Sequence, residues 1–109
     1  IGFICLSLSG EFAGFITAAP ISEKIERIFT LTGFYVSEKY RGLGIGAELV
    51  SMLIQSLKDL KIESTLTAFM ILPESALNLL EKQGFEKAGT GFFMRINKPC
   101  SELSVSEQV

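Results

Sequence analysis

The chain has 109 residues, of which 48% are apolar and 20% charged, with nine phenylalanines; that is enough for one compact core and too little for a second. Ten Lys and Arg against twelve Asp and Glu leave a formal net charge of -2, and the cations are scattered along the chain, so no field exists for a nucleic-acid backbone. The absence of histidine excludes an imidazole base and an imidazole zinc site. Cys5 in an apolar run and Cys100 in a polar tail form neither a disulfide framework nor a metal-ligand spacing, so no metal is expected.

The opening IGFICLSLSGEFAGFITAAP is apolar enough to imitate a signal peptide. It has no cationic leader, however, and Glu11 sits in its middle beside a Ser-Gly turn. Ile4, Leu6 and Leu8 alternate with Cys5, Ser7 and Ser9 as a strand requires, and no membrane segment is expected. Residues Phe3 to Leu8 and Phe12 to Ala19 are predicted as a hairpin, with Pro20 ending the second strand. A start without methionine, inside a strand, reads as a fragment or a trimmed piece; a cytoplasmic location follows by default.

ISEKIER is predicted as a charged connection, and IFTLTGFYV, Ile28 to Val36, as a third strand. Its Gly33 marks either a bulge or a glycine tolerated at a twisted position. From Gly44 to Leu60 the residues Ile45, Leu49, Leu53, Leu57 and Leu60 recur at helical spacing, with Glu48, Gln55, Lys58 and Asp59 off the stripe. STLTAFMI then reads as a short buried strand. PESALNLLEKQGF follows as a second helix with Pro73 in its first turn and Gly84 at its exit. EKAGTGFFMRIN reads as a terminal hairpin around Gly89 and Gly91. The order strands, helix, strand, helix, strands predicts an α/β or α+β fold: a mixed, mostly antiparallel sheet flanked by helices, with a right-handed crossover.

The stretch RGLGIG, Arg41 to Gly46, opens the first helix with three glycines at every second position. The leading N–H groups of a helix have no intrahelical partners, and the macrodipole adds about half a positive charge there, so an anion fits. Glycines at 42, 44 and 46 clear the approach, and Arg41 adds a charge-assisted donor. The plainer alternative is that Gly42 permits a turn while Gly44 and Gly46 let the helix pack closely on the sheet. A nucleotide P-loop would need Gly-Lys-Ser/Thr, and Gly46 is followed by Ala47 and Glu48. GLGIGA satisfies the dinucleotide pattern, but SEKYR separates it from its strand and no acid ends the next strand.

Val36, four intervening residues, then Arg41-Gly42-Leu43-Gly44-Ile45-Gly46 resembles the acyl-CoA pyrophosphate motif of the GNAT acetyltransferase superfamily, written Q/R-x-x-G-x-G/A. LLEKQGF resembles that family's second signature, and the two together span about Ile28 to Ile96 in the expected order. The resemblance implies a GNAT-type domain over residues 1–97, followed by a polar tail over 98–109. It implies acetyl-CoA as the acyl donor and coenzyme A bound through Phe34, Tyr35, Val36, Arg41, Gly42, Leu43, Gly44, Ile45, Gly46 and Ala47. The strand residues among these would face the pantetheine arm, with the thioester near Gly33.

The reaction so implied is N-acyl transfer to a small-molecule or peptide amine by direct attack on the thioester. The alternative is a coenzyme A binding or regulatory module without turnover. Where the family often has an asparagine and a tyrosine in its second signature, this chain aligns Pro73 and Leu80. Ser75, Asn78 or Tyr35 could replace the missing acid, and Glu26 is the candidate base, the third strand itself offering Thr30 and Thr32. The family's N-terminal strand and two helices have no counterpart here. A homodimer or a missing N-terminal segment would then supply that wall and cover the first strand.

Overall fold

A computed structural model describes residues 1–22, 25–69, 72–89 and 91–97; the expected tail over 98–109, with Cys100, lies outside the described residues. Six strands and two helices follow the predicted order. They are β1 (Gly2–Leu6), β2 (Phe12–Ser22), β3 (Ile25–Val36), α1 (Ile45–Lys58), β4 (Ser64–Ala68), α2 (Glu74–Lys82), β5 (Glu86–Ala88) and β6 (Gly91–Ile96), with one 3-10 turn at Glu38–Tyr40. The strands form a single mixed sheet in the order β1-β2-β3-β4-β6-β5. Only β3 and β4 run parallel, and α1 is the crossover that such a pair requires.

Two expectations about strand ends are corrected. Pro20 does not end β2, which runs on to Ser22 with Pro20 opposite Phe29. A proline is tolerated there because β1 pairs only as far as Thr17, leaving β2 an edge strand at that point, and because the register shifts between Pro20 and Ser22. The charged ISEKIER is accordingly not a loop: Ser22 pairs with Ile25, and most of the segment belongs to a β2–β3 hairpin. At the other end β1 stops at Leu6, two residues short of the predicted Leu8, because Ser7 accepts from Gly10 N–H at 2.9 Å and turns the chain.

The β2–β3 register shifts once more, between Thr17 (opposite Gly33) and Ala18 (opposite Leu31). Thr32 is therefore the extra residue of a bulge, and Gly33 adjoins it as expected. The glycine is required by packing: a Cβ there would stand 2.6 Å from the Phe15 ring and 2.9 Å from Thr17 Oγ1.

One face of the sheet carries the core. Ile16, Leu49, Leu53, Leu57, Leu66, Leu80 and Ile96 are fully buried and belong to one cluster drawn from both helices and the sheet. Val50 and Ile54 join the predicted stripe on α1, whereas Leu60 lies past the helix and is half exposed. On the opposite face Ile4, Leu6, Phe12 and Tyr35 stay exposed, with Phe12 stacked on Tyr35. Among the described residues, no helix is long and apolar enough to cross a membrane.

Candidate active site

β3 is paired on both sides only over part of its length. Ile28, Phe29 and Thr30 bond to β4, while Leu31 to Val36 have β2 on one side and, among the described residues, no strand on the other. Thr67 marks the parting, its hydroxyl donating to Phe29 O at 3.1 Å. Backbone groups along the free edge are left with hydrogen-bonding capacity that a ligand could use.

The chain leaves β3 through the 3-10 turn and reaches α1 by way of Arg41 to Gly44. Gly42 and Gly44 sit at φ +81° and +83° with open space where a Cβ would be. Gly44 is the N-cap of α1 in the left-handed region, a conformation that an L side chain resists. The first helical bond is Glu48 N–H to Gly44 O, 3.1 Å, so the amides of Ile45, Gly46 and Ala47 precede the intrahelical ladder. Gly46 has a different reason to be bare. A Cβ there would lie 3.2 Å from Leu79 Cδ2 and 3.5 Å from the Phe34 ring.

These parts enclose an open cavity of about 350 Å³ lined by β3 (Phe34, Tyr35, Val36), by the loop and helix start (Tyr40, Arg41, Gly42, Gly44, Ile45, Gly46, Ala47) and by α2 (Pro73, Ser75, Ala76, Leu79). Nine of the ten predicted coenzyme-binding residues thus meet around one cavity. Leu43 does not line it and points largely to solvent. Arg41 donates through Nε to Val36 O at 3.0 Å, and its guanidinium lies 5.7 Å from the centre of the Tyr35 ring.

Of the candidate catalytic residues, Ser75 lines the cavity at the exposed start of α2, and Tyr35 contributes to the wall of β3. Glu26 belongs to β3, but its side chain lies outside the described residues. Leu80, aligned with the family's tyrosine, is fully buried in the core and does not reach the cavity; its neighbour Leu79 does. Tyr40, Ala76 and Leu79 escaped sequence reasoning. The spacing of Ser75 and Leu79, one helical turn apart, was the available signal, and the equally apolar Leu77, Leu79 and Leu80 obscured it.

Outside the cavity, Glu11 and Lys39 form an exposed ion pair at 3.1 Å. The hydrogen bond to Glu11, followed by its charge, raises the Lys39 pKa above the ordinary lysine value. Among the described residues no group of carboxylates and thiols could hold a metal ion.

Comparison with known proteins agrees with this geometry. A curated relative, N-acetyltransferase family 8 member 2 of Rattus norvegicus, is 30% identical over 101 residues. The match covers 88% of this chain and 43% of that protein, so the chain spans less than half of that relative's length. Among solved structures, a GNAT family N-acetyltransferase from Escherichia coli in complex with CoA matches with a TM-score of 0.68 at 22% identity, over 86% of this chain and 57% of that one. A phosphinothricin acetyltransferase from Sinorhizobium meliloti in complex with AcCoA matches with a TM-score of 0.70 at 23% identity, over 86% and 58%. At these identities the likeness establishes the fold. The model of the acetyltransferase (GNAT) family matches residues 1–85, and the chain, whose open strand edge faces a glycine-led helix start, belongs to that family.

Proposed function

We propose that this chain is the acyl-CoA binding core of an N-acyltransferase that moves an acetyl group from acetyl-CoA to an amine. The observation that carries the reading is the meeting of three helix-start amides, Arg41 and the free edge of β3 around one cavity. Amides at a positive helix end suit a pyrophosphate, and an unpaired strand edge suits an extended amide-bearing arm. The residues present therefore fit coenzyme A. When bound, it supplies an activated thioester whose acetyl passes to the amine, the C–N bond forming as the C–S bond breaks and the proton lost by the amine ending on the thiol.

The protein's part is to hold and orient the donor and to place a proton donor beside the departing sulfur. Ser75 is the hydroxyl that α2 offers to the cavity wall, and we assign it that place in the reading. The family affiliation and the CoA and AcCoA held by the two structural relatives support the donor. A second reading, coenzyme A binding without turnover, is favoured by one observation: the position of the family's tyrosine is a buried leucine, Leu80.

We further propose that the exposed apolar face around Ile4, Leu6 and Phe12 is covered by a second subunit or by polypeptide outside these 109 residues, which light scattering on the chain tests. A cytoplasmic site of action belongs to the same proposal, with subcellular fractionation as its check. Titration calorimetry with acetyl-CoA decides the main reading. Binding should be present in the unsubstituted chain and at least about tenfold weaker in Gly44→Val, which sets a β-branched side chain at positive φ where the helix must open. Equal affinity in a folded Gly44→Val chain removes the site from this loop. An amine-acetylation screen then separates enzyme from binding module.

A further inference from the structure

The outer face of the sheet carries a row of planar groups that ends in the cavity. Phe12 on β2 and Tyr35 on β3 stack with ring centroids 6.4 Å apart and planes 6° from parallel. The Arg41 guanidinium lies against Tyr35, 5.7 Å from its centroid. The same guanidinium donates its Nε–H to Val36 O, so one of its donor positions is committed and its orientation is held at two points. Both Tyr35 and Arg41 line the cavity wall.

We infer that Tyr35 is a positioning residue: its ring, backed by Phe12, holds the Arg41 guanidinium so that the donors left free by the Nε bond face an anion at the start of α1. The inference rests on the coenzyme reading above and gives the Tyr35 side chain a task other than proton donation. It follows from the geometry in three steps. Arginine is a long, rotamer-rich side chain, and freezing it after ligand arrival would reduce affinity by the entropy lost. A planar cation over an aromatic face is held at modest energy without neutralising its charge. The Nε bond to a strand carbonyl fixes the remaining rotation, so the charge is in place before any ligand comes.

A lysine could not take this place: it has no planar face to lie on the ring, and its donors all sit on one terminal nitrogen, so none can bond Val36 O from partway along the side chain while the charge faces an anion. The phenol hydroxyl is not needed, only the ring face; that separates this role from an acid's.

Two measurements on the intact chain test it. In the ligand-free protein, exchange of the Arg41 Nε–H with solvent, read by NMR, should be slow in the unsubstituted chain and in Tyr35→Phe, and fast in Tyr35→Leu. In calorimetry with acetyl-CoA, Tyr35→Leu should weaken binding about threefold to fivefold, the range expected for a cation on an exposed ring, while Tyr35→Phe stays within about twofold. In an Arg41→Ala background Tyr35→Leu should add nothing, since the group it positions is gone.

Unchanged Nε–H exchange and unchanged affinity in Tyr35→Leu overturn the inference, as does a loss that persists in full in the Arg41→Ala background. Loss of binding in Tyr35→Phe as severe as in Tyr35→Leu also overturns it and makes the hydroxyl the active part. No acetyl-CoA binding by the unsubstituted chain overturns the coenzyme reading, and this role with it.

Discussion

The two halves of β3 have the same neighbour on one side and different fates on the other. From Ile28 to Thr30 the strand is held by β2 and β4 together, and Phe29 in this half is buried in the core. From Leu31 to Val36 it keeps β2 alone among the described residues, and its last three residues line the cavity. The paired half gives stability and the open half gives the edge to which the proposed reading assigns the coenzyme, within one strand and without a change in composition that would announce it. A bulge at Thr32 and a hydroxyl clamp from Thr67 to Phe29 O lie on either side of the point where one becomes the other.

The contrast is broken most severely in the paired half. Phe29→Ala empties a buried site, 6% exposed, opposite Leu66, and should cost about 3 to 5 kcal/mol of stability in urea unfolding. The acetyl-CoA affinity of the molecules that stay folded should not change. If affinity falls in step with stability, the two halves are not separable.

A smaller effect is expected at the parting itself. Thr67→Val keeps the shape and removes the hydroxyl donated to Phe29 O, so unfolding should show a loss of about 1 kcal/mol. Because that bond sits where the strands separate, binding should weaken as well, whereas Thr67→Ser should recover most of both. Recovery of neither property by serine would show that the methyl, not the hydroxyl, holds the parting.

The smallest effect belongs to the surface pair Glu11–Lys39, beside the chain that leaves the open half. Lys39 has a raised pKa in the folded state, so its contribution is complete below the ordinary lysine value and is lost as pH rises through the raised one. Glu11→Gln should therefore lower the melting temperature slightly at neutral pH and not at all once Lys39 is deprotonated. An exposed pair of this kind contributes little, and a large drop on Glu11→Gln would assign Glu11 a role beyond the ion pair.

How far the sequence foretold this arrangement depends on range. The order of elements was legible because α1 is periodic over four turns and because glycines mark four of the connections, at Gly10, Gly42 and Gly44, Gly84 and Gly89. The cavity's β3 and α1 walls were legible because Val36 and the Arg41–Gly46 run are neighbours in the chain. The α2 wall was not: Leu77, Leu79 and Leu80 are alike as side chains, and only packing decides that Leu80 enters the core while Leu79 meets the bare Gly46. Pro20 misled for a similar reason. Its local preference to end a strand was overridden by an edge position that depends on where β1 stops. The stack of Phe12, Tyr35 and Arg41 depends on a bulged β2–β3 register, which no local pattern specifies.

The single parallel junction also sets the order in which this molecule can assemble. β1, β2 and β3 form a meander of short-range hairpins, and β6 meets β5 across another hairpin. The junction between β3 and β4 closes a loop of 38 residues between Phe29 and Thr67 and rests on three residue pairs. Loop closure of that length is entropically dearer than any hairpin here and delays its contacts. The cavity therefore comes into being at the slowest seam of the fold, where a ligand that touches β3, α1 and α2 at once would tie together the pieces that are last to meet.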